Sequence, residues 1–347
     1  MTESWTMVLV NWYKENKRIL PWRKTRNPYF IWISEVMLQQ TQVDTVIPYY
    51  ERFITRFPTM YDLARADEDV LLKEWEGLGY YSRARNLQAG VREVTERYGG
   101  IVPRTKRELL NVKGIGPYTA GAILSIAYNE PEPAVDGNVM RVISRLFRIE
   151  EDIAKAKTRR LIEDRLRPYM PADQAGEFNQ ALMELGALIC KPKNPLCHEC
   201  PIASFCRAYK EDVQTKLPIK LKKQKTKLVR YAVLVLQSGE DRFYIQKRPS
   251  EGLLAGLWEF PMFEIKEGAD EVNFKVRFLK SKPVRTSMKV KHIFSHLKWE
   301  LTVFYGYCGS EETISRAGKW VTRTALSDYA FPVPHQKIIH HLDRVIP

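Results

Sequence analysis

The chain has 347 residues, with 55 Lys plus Arg against 41 Asp plus Glu, a net charge of +14. That length is enough for two domains, and the cationic excess suits a polyanionic partner, nucleic acid before membrane. No apolar run approaches the ~20 residues of a membrane-spanning helix, and the start Met1-Thr2-Glu3-Ser4-Trp5 is not a charged-then-apolar leader. A cytoplasmic protein without membrane association is therefore expected.

Residues 6–17 read as a first helix, followed by the basic-aromatic corner Leu20-Pro21-Trp22-Arg23. Residues 29–39 are helical in pattern and almost wholly apolar, with Glu35 in the middle. A carboxylate there is costly unless it is paired or protonated. On local grounds a structural ion pair and a catalytic acid both stand. Thr41, with Asp44 three residues on, suggests a capping box for the next helix, and Asp67 opens another that ends near Gly77. The turn Leu78-Gly79-Tyr80-Tyr81-Ser82-Arg83 places two tyrosines beside an arginine. Such a group can wedge into a base stack, while spacing alone favours core tyrosines after a helix end.

Residues 105–112 and 117–128 read as two helices joined by Lys113-Gly114-Ile115-Gly116. Gly114 and Gly116 leave backbone N–H groups uncovered beside a helix start, which suits a DNA phosphate. Asp136 precedes a helical run at 139–147 and fits an N-cap, where the helix end should hold it ionised. Helices follow at about 156–169 and 175–190. Residues 216–230 carry seven basic side chains and no acidic one, the mark of a solvated linker. Strand-like runs then appear at 231–237, 242–247, 301–307 and 319–321, so the last third is a separate mixed domain.

Cys190, Cys197, Cys200 and Cys206 are spaced C-x6-C-x2-C-x5-C within 17 residues. Four thiolates so close can surround one soft metal centre, and the spacing alone admits zinc or an iron–sulfur cluster. His198 is a weak rival ligand, and Cys308 reads as a small apolar residue of a distant strand.

Together these pieces resemble the MutY adenine DNA glycosylase family within the helix-hairpin-helix glycosylase superfamily, over nearly the whole chain. The resemblance rests on Ser34-Glu35-Val36-Met37-Leu38-Gln39-Gln40-Thr41, Gly77-Leu78-Gly79-Tyr80-Tyr81-Ser82-Arg83, Gly114-Ile115-Gly116-Pro117-Tyr118-Thr119, Val135-Asp136-Gly137-Asn138-Val139 and the four cysteines. It implies an all-α glycosylase domain at 1–213 with a 4Fe-4S loop at 190–206. A basic linker at 214–230 and an α+β Nudix-like domain at 231–347 would follow. The substrate would be duplex DNA with adenine opposite 8-oxoguanine or guanine, the adenine being flipped out of the stack. A monomer is expected, associated with a bacterial-type nucleoid through its DNA.

The resemblance also implies roles. Glu35 would protonate adenine N7, and Asp136 would face the developing oxocarbenium ion. Tyr118 and Asn138 would orient these carboxylates, while Trp22, Arg23, Leu38 and Gln180 would line the base pocket. Gln40 and Tyr80 would enter the stack. Thr41, Leu78 and Ser295 would contact the 8-oxoguanine, with Ser295 in the reading loop Phe294-Ser295-His296. Glycosidic cleavage puts negative charge on the leaving base and positive charge on the sugar, so one acid and one anion answer it. Glu35 in an apolar helix should have a raised pKa and Asp136 at a helix start a lowered one.

Related bifunctional enzymes such as endonuclease III carry a lysine where Tyr118 stands, and an amine is needed for a Schiff base. A monofunctional enzyme is therefore expected over a glycosylase/lyase. A non-catalytic damage sensor would not need both carboxylates. A nucleotide hydrolase would need a metal box, which Gly268-Ala269-Asp270-Glu271-Val272-Asn273-Phe274 lacks.

Overall fold

The computed structural model describes residues 4–221, 226–239, 241–265, 285–294, 297–308 and 318–345. The chain packs as two compact units, Met1–Arg65 with Asn86–Lys222, and Ala66–Arg85 with Lys223–Pro347. Assigning 66–85 to the second unit departs from the sequence-based boundaries. This excursion of the helical half is not signalled by any change in composition.

The first unit is helical: α1 (Trp5–Asn16), α2 (Pro28–Leu38), α3 (Val43–Arg56) and α4 (Met60–Arg65). The chain then passes through α5 (Glu68–Glu74) of the second unit and returns along α6 (Ser82–Arg97). α7 (Lys106–Leu110), α8 (Pro117–Tyr128), α9 (Gly137–Phe147), α10 (Ala156–Leu166), α11 (Ala175–Leu188) and α12 (Arg207–Lys210) follow. The N-cap expected at Thr41 falls one residue later. Gln42 is the N-cap of α3 and makes no side-chain bond there. α2 instead is capped, with Asn27 Oδ1 accepting from Tyr29 N–H at 2.9 Å and Pro28 at its first position.

One core of this unit gathers Trp5, Leu9 and Tyr13 of α1, Val139, Val142 and Ile143 of α9, and Phe178, Leu182 and Leu185 of α11. These residues recur three or four apart, the spacing that turns one helix face inward. α2 packs on α8, and Gly90 of α6 admits the close approach of the hairpin turn: a Cβ there would meet the Lys113 carbonyl at 2.3 Å. The hairpin α7–α8 turns at Gly114, whose φ of +80° favours glycine.

The second unit is a mixed sheet of β1 (Lys227–Ser238), β2 (Arg242–Lys247), β3 (Trp258–Glu259), β4 (Met262–Glu264), β5 (Arg285–Ile293), β6 (Leu297–Cys308) and β7 (Gly318–Thr322). Its order is β3-β2-β1-β6-β5, with β4 on β1 and β7 on β2. β1 and β6 are parallel in register from Lys227↔Leu297 to Ser238↔Cys308. The run at 232–236 of β1 is buried on both faces, which is why it reads as unbroken apolar sequence. Val233 and Val235 point into one core with Ile338 and Leu342 of α13 (Val333–Val345); Ala232, Leu234 and Leu236 point into the other. β1 begins inside the stretch read as linker, because its first turns outward carry lysine and arginine.

Within this unit the 66–85 segment joins the sheet side through named contacts. Asp69 pairs with Lys247 at 2.7 Å, and Lys73 Nζ donates to the Tyr329 carbonyl at 3.2 Å. The Phe331 N–H donates to Glu76 Oε1 at 2.8 Å.

Candidate active site

A cavity of about 610 Å³ opens in the first unit, lined from α2, α8, α9, α11 and the corner after α1. Trp22, Arg23, Glu35, Leu38, Gln40, Thr41, Gly114, Gly116, Tyr118, Asp136, Asn138 and Gln180, all singled out in the sequence, meet around it. They come from positions 22 to 180, so only the fold joins them.

Glu35 lies on α2 at 5% exposure and faces this cavity. Burial pushes its carboxyl up to about 7, reinforced by Asp136 and opposed by a hydrogen bond from Tyr118 and the charge of Arg23. The Tyr118 hydroxyl donates to Glu35 Oε2. Burial and the nearby carboxylates hold that phenol well above its ordinary pKa, so it remains a donor.

Asp136 is the N-cap of α9, as the sequence suggests: its Oδ1 accepts from Val139 N–H at 2.7 Å and its Oδ2 from Asn138 Nδ2 at 3.0 Å. The expected lowering of its pKa is not found. Burial raises it, and the Val139 and Asn138 bonds with the Arg141 charge offset only part of that. The helix start supplies the bonds, but the cavity wall removes the water.

Sequence reading missed the charged groups beneath the pocket. Glu184 of α11 is 1% exposed and accepts from both Arg18 and Arg23, each at 2.8 Å to Oε2. Its carboxyl is held down to about 2 by those bonds, against the opposing effect of burial. Arg23 also stands 5.3 Å from the Tyr13 ring centre, and the Tyr13 hydroxyl donates to Gln180 Oε1 at 3.1 Å. The signal in the sequence is an acid one turn after Gln180, flanked by the apolar run Ala181-Leu182-Met183 and Leu185.

Lys113 is exposed in the hairpin turn, its own N–H held by Glu93 Oε2 at 3.0 Å. A Cβ at Gly116 would meet nothing within 4 Å, so the backbone there stays open to a ligand. Leu78 and Tyr80 belong to the second unit and do not line the cavity. The two adjacent tyrosines divide: Tyr81 is buried, whereas Tyr80 is 47% exposed with φ +48° and has the Arg83 guanidinium 5.5 Å from its ring centre. Phe294 packs edge-on to His292 and Trp299 at 4.5 and 4.8 Å. Ser295, His296, the stretch 268–274 and the Cys308 side chain lie outside the described residues.

Cys190, Cys197, Cys200 and Cys206 are half-buried free thiols, and three of them pack on the core of the first unit. They are near enough to act on one another: the Cys200 thiol is pushed up to about 12 by burial, with further contributions from the other three. Among the described residues, no group of three or more His, Cys, Asp or Glu is arranged around a single ion. Four soft sulfurs on one short loop suit a multi-iron cluster, which would take them as thiolates. Arg145 Nη1 donates to Cys190 Sγ at 3.3 Å, a cationic support for a thiolate.

An acid and a second carboxylate in one cavity, beside an open helical hairpin and a four-cysteine loop, define a base-excising helix-hairpin-helix glycosylase. The superfamily described as HhH-GPD base excision DNA repair protein matches residues 33–168. The iron–sulfur binding domain of endonuclease III matches 190–206, and a NUDIX domain matches 232–341. The adenine DNA glycosylase of Buchnera aphidicola subsp. Schizaphis graminum is 35% identical, over 96% of this chain and 97% of that protein. That of Rattus norvegicus is 35% identical, over 95% of this chain and 76% of its own. Among solved structures, a thermostable thymine-DNA glycosylase superposes with a TM-score of 0.54 at 28% identity, covering 59% of this chain and 95% of that one. A non-covalent endonuclease III–DNA complex gives 0.51 at 25% identity, with 61% and 100% covered. The chain belongs to the adenine DNA glycosylase family, whose cofactor is a 4Fe-4S cluster, and Cys190, Cys197, Cys200 and Cys206 are the residues that would hold it.

Proposed function

We propose that the protein removes adenine paired with 8-oxoguanine, or with guanine, from duplex DNA, acting as a monomer and without lyase chemistry. The observation that carries this reading is the buried Glu35, held near a pKa of 7 in the same cavity as Asp136. A carboxyl near neutrality can give its proton to adenine N7 and yet be regenerated. The electron pair of the C1′–N9 bond then leaves with the base. Asp136, carboxylate fixed by Val139 and Asn138, faces the sugar cation that remains. A water adds to C1′ and gives up its proton, returning the acid for another turn. Tyr118 keeps Glu35 in one orientation, and Glu184 keeps Arg23 pointed at the base. Cys190, Cys197, Cys200 and Cys206 would hold the cluster, and that ligation would fix the 190–206 loop, which Arg141 and Arg145 of α9 already contact.

Tyr118 offers no amine to the sugar, in keeping with base release alone. The lesion-reading role falls to the second unit with Tyr80 and the loop beginning at Phe294. The domain limits 1–213, 214–230 and 231–347 remain the working division for function, with the 66–85 segment lent to the reader. The test is incubation with a duplex containing adenine opposite 8-oxoguanine, then alkali to cut abasic sites. Release opposite 8-oxoguanine faster than opposite guanine is expected. No alkali-labile site in either duplex would overturn the reading.

A further inference from the structure

A second cavity of about 400 Å³ in the first unit is lined by Lys106, Pro117, Lys155, Arg159, Arg160 and Glu163, among others. It shares Pro117 and Arg159 with the catalytic cavity. Pro117 is the first residue of α8, directly after the open backbone of Gly116. The two spaces therefore meet at the hairpin. The acids here are already engaged: Lys106 pairs with Glu132 at 2.6 Å and Glu163 at 4.0 Å. Among the described residues, Lys155, Arg159 and Arg160 have no carboxylate within 4.0 Å. Arg159 is half-buried, and among the described residues no hydrogen bond or ion pair of its side chain is found. An unpaired cation beside two exposed ones is matched by a row of anions.

We propose that this cavity is a second backbone grip, in which Arg159, with Lys155 and Arg160, holds phosphates of the adenine-bearing strand next to the flipped nucleotide. The inference rests on that strand entering the catalytic cavity. The hairpin amides hold one phosphate through backbone donors, and the α10 cations hold its neighbours through charge. Their positions on either side of Pro117 would keep the strand taut across the mouth while the base is turned out. A guanidinium common to both spaces suits this because its planar fork can bind two phosphate oxygens at once.

The test uses the holoprotein and an uncleavable duplex with a 2′-fluoro adenosine opposite 8-oxoguanine. Binding is measured against salt for wild type, Arg159→Ala, and the exposed double variant Lys155→Ala/Arg160→Ala. Each lost phosphate contact should lower the slope of log affinity against log salt by about 0.9. A drop of about 1 is expected for the single variant and up to about 2 for the double. Neutral methylphosphonates are then placed one at a time along the adenine strand. One beside the flipped nucleotide should weaken wild type and leave Arg159→Ala unaffected. Slopes equal to wild type in both variants, or differences that no neutral phosphate on that strand removes, would overturn the proposal. Adenine release by wild type from a cleavable duplex is scored separately. Its absence would remove the excision reading while the slopes still judge the grip.

Discussion

Arg141 donates from Nε to the Cys190 carbonyl at 2.8 Å, while its Nη2 donates to Asn138 Oδ1, also at 2.8 Å. Asn138 in turn donates to Asp136. One guanidinium therefore ties the first cysteine of the four-cysteine loop, through Asn138, to the Asp136 carboxylate. Arg141→Gln should loosen both ends. A fall of about 10–100-fold in single-turnover rate is expected, the usual scale for losing such an outer contact. Iron content and visible absorption per protein should decline with it. A rate within twofold of wild type would mean that the connection is only architectural.

Glu35→Gln should keep DNA binding and lose about 10²–10⁴ in rate, since general-acid catalysis has that value. The wild-type rate should also fall as pH rises through about 7, because the required form is protonated. The same raised value works against stability at alkaline pH. Its contribution is full below 4.5 and is lost as pH passes about 7. A single-turnover profile flat from pH 6 to 8, measured at saturating DNA, would reject Glu35 as the acid.

Tyr118→Phe removes the bond that lowers the Glu35 pKa. The descending limb of the pH–rate profile should shift to higher pH, with a lower plateau from the freed carboxyl. A limb shifted to lower pH would contradict the assigned donor. In wild type, borohydride treatment during turnover should trap no stoichiometric DNA adduct.

Glu184→Gln leaves Arg18 and Arg23 without their carboxylate. Removing one member of a buried ion pair costs roughly 3 kcal/mol, tempered here by the exposure of Arg18. Thermal unfolding should shift down, and Km for the duplex should rise as Arg23 swings free. In wild type the Glu184 contribution is present above 4.5 and lost as pH falls towards about 2. A variant as stable as wild type at pH 7 would show that the two arginines find other partners.

The parts of the site legible in the sequence were those carried by short motifs. Glu35 stood out as an acid in an apolar helix, and Gly114 and Gly116 as a turn before a proline. The four cysteines stood out by spacing alone. The pairing of Glu184 with Arg18 and Arg23 crosses more than 160 positions, and no local pattern encodes it. Asp136 illustrates a different limit. Its N-cap geometry is local and was readable, but its raised pKa comes from α2, α8 and α11 closing around it. In the second unit the strands with a strong apolar run, such as 231–237 of β1 and 301–307 of β6, were readable. β5, which carries Lys289 and Lys291 and among the described strands pairs with β6 alone, and the short β3 and β4 were not.

The chain crosses between its two units at Arg65/Ala66, at Arg85/Asn86 and at Lys222/Lys223. On a ribosome, residues 66–85 emerge well before the sheet they belong with. At roughly 5–20 residues per second that delay is on the order of ten seconds. Through it, Asp69, Lys73 and Glu76 wait without Lys247, Tyr329 and Phe331. It is the second unit that therefore cannot finish as the chain grows. The excursion makes its completion depend on two segments separated by the whole of residues 86–222.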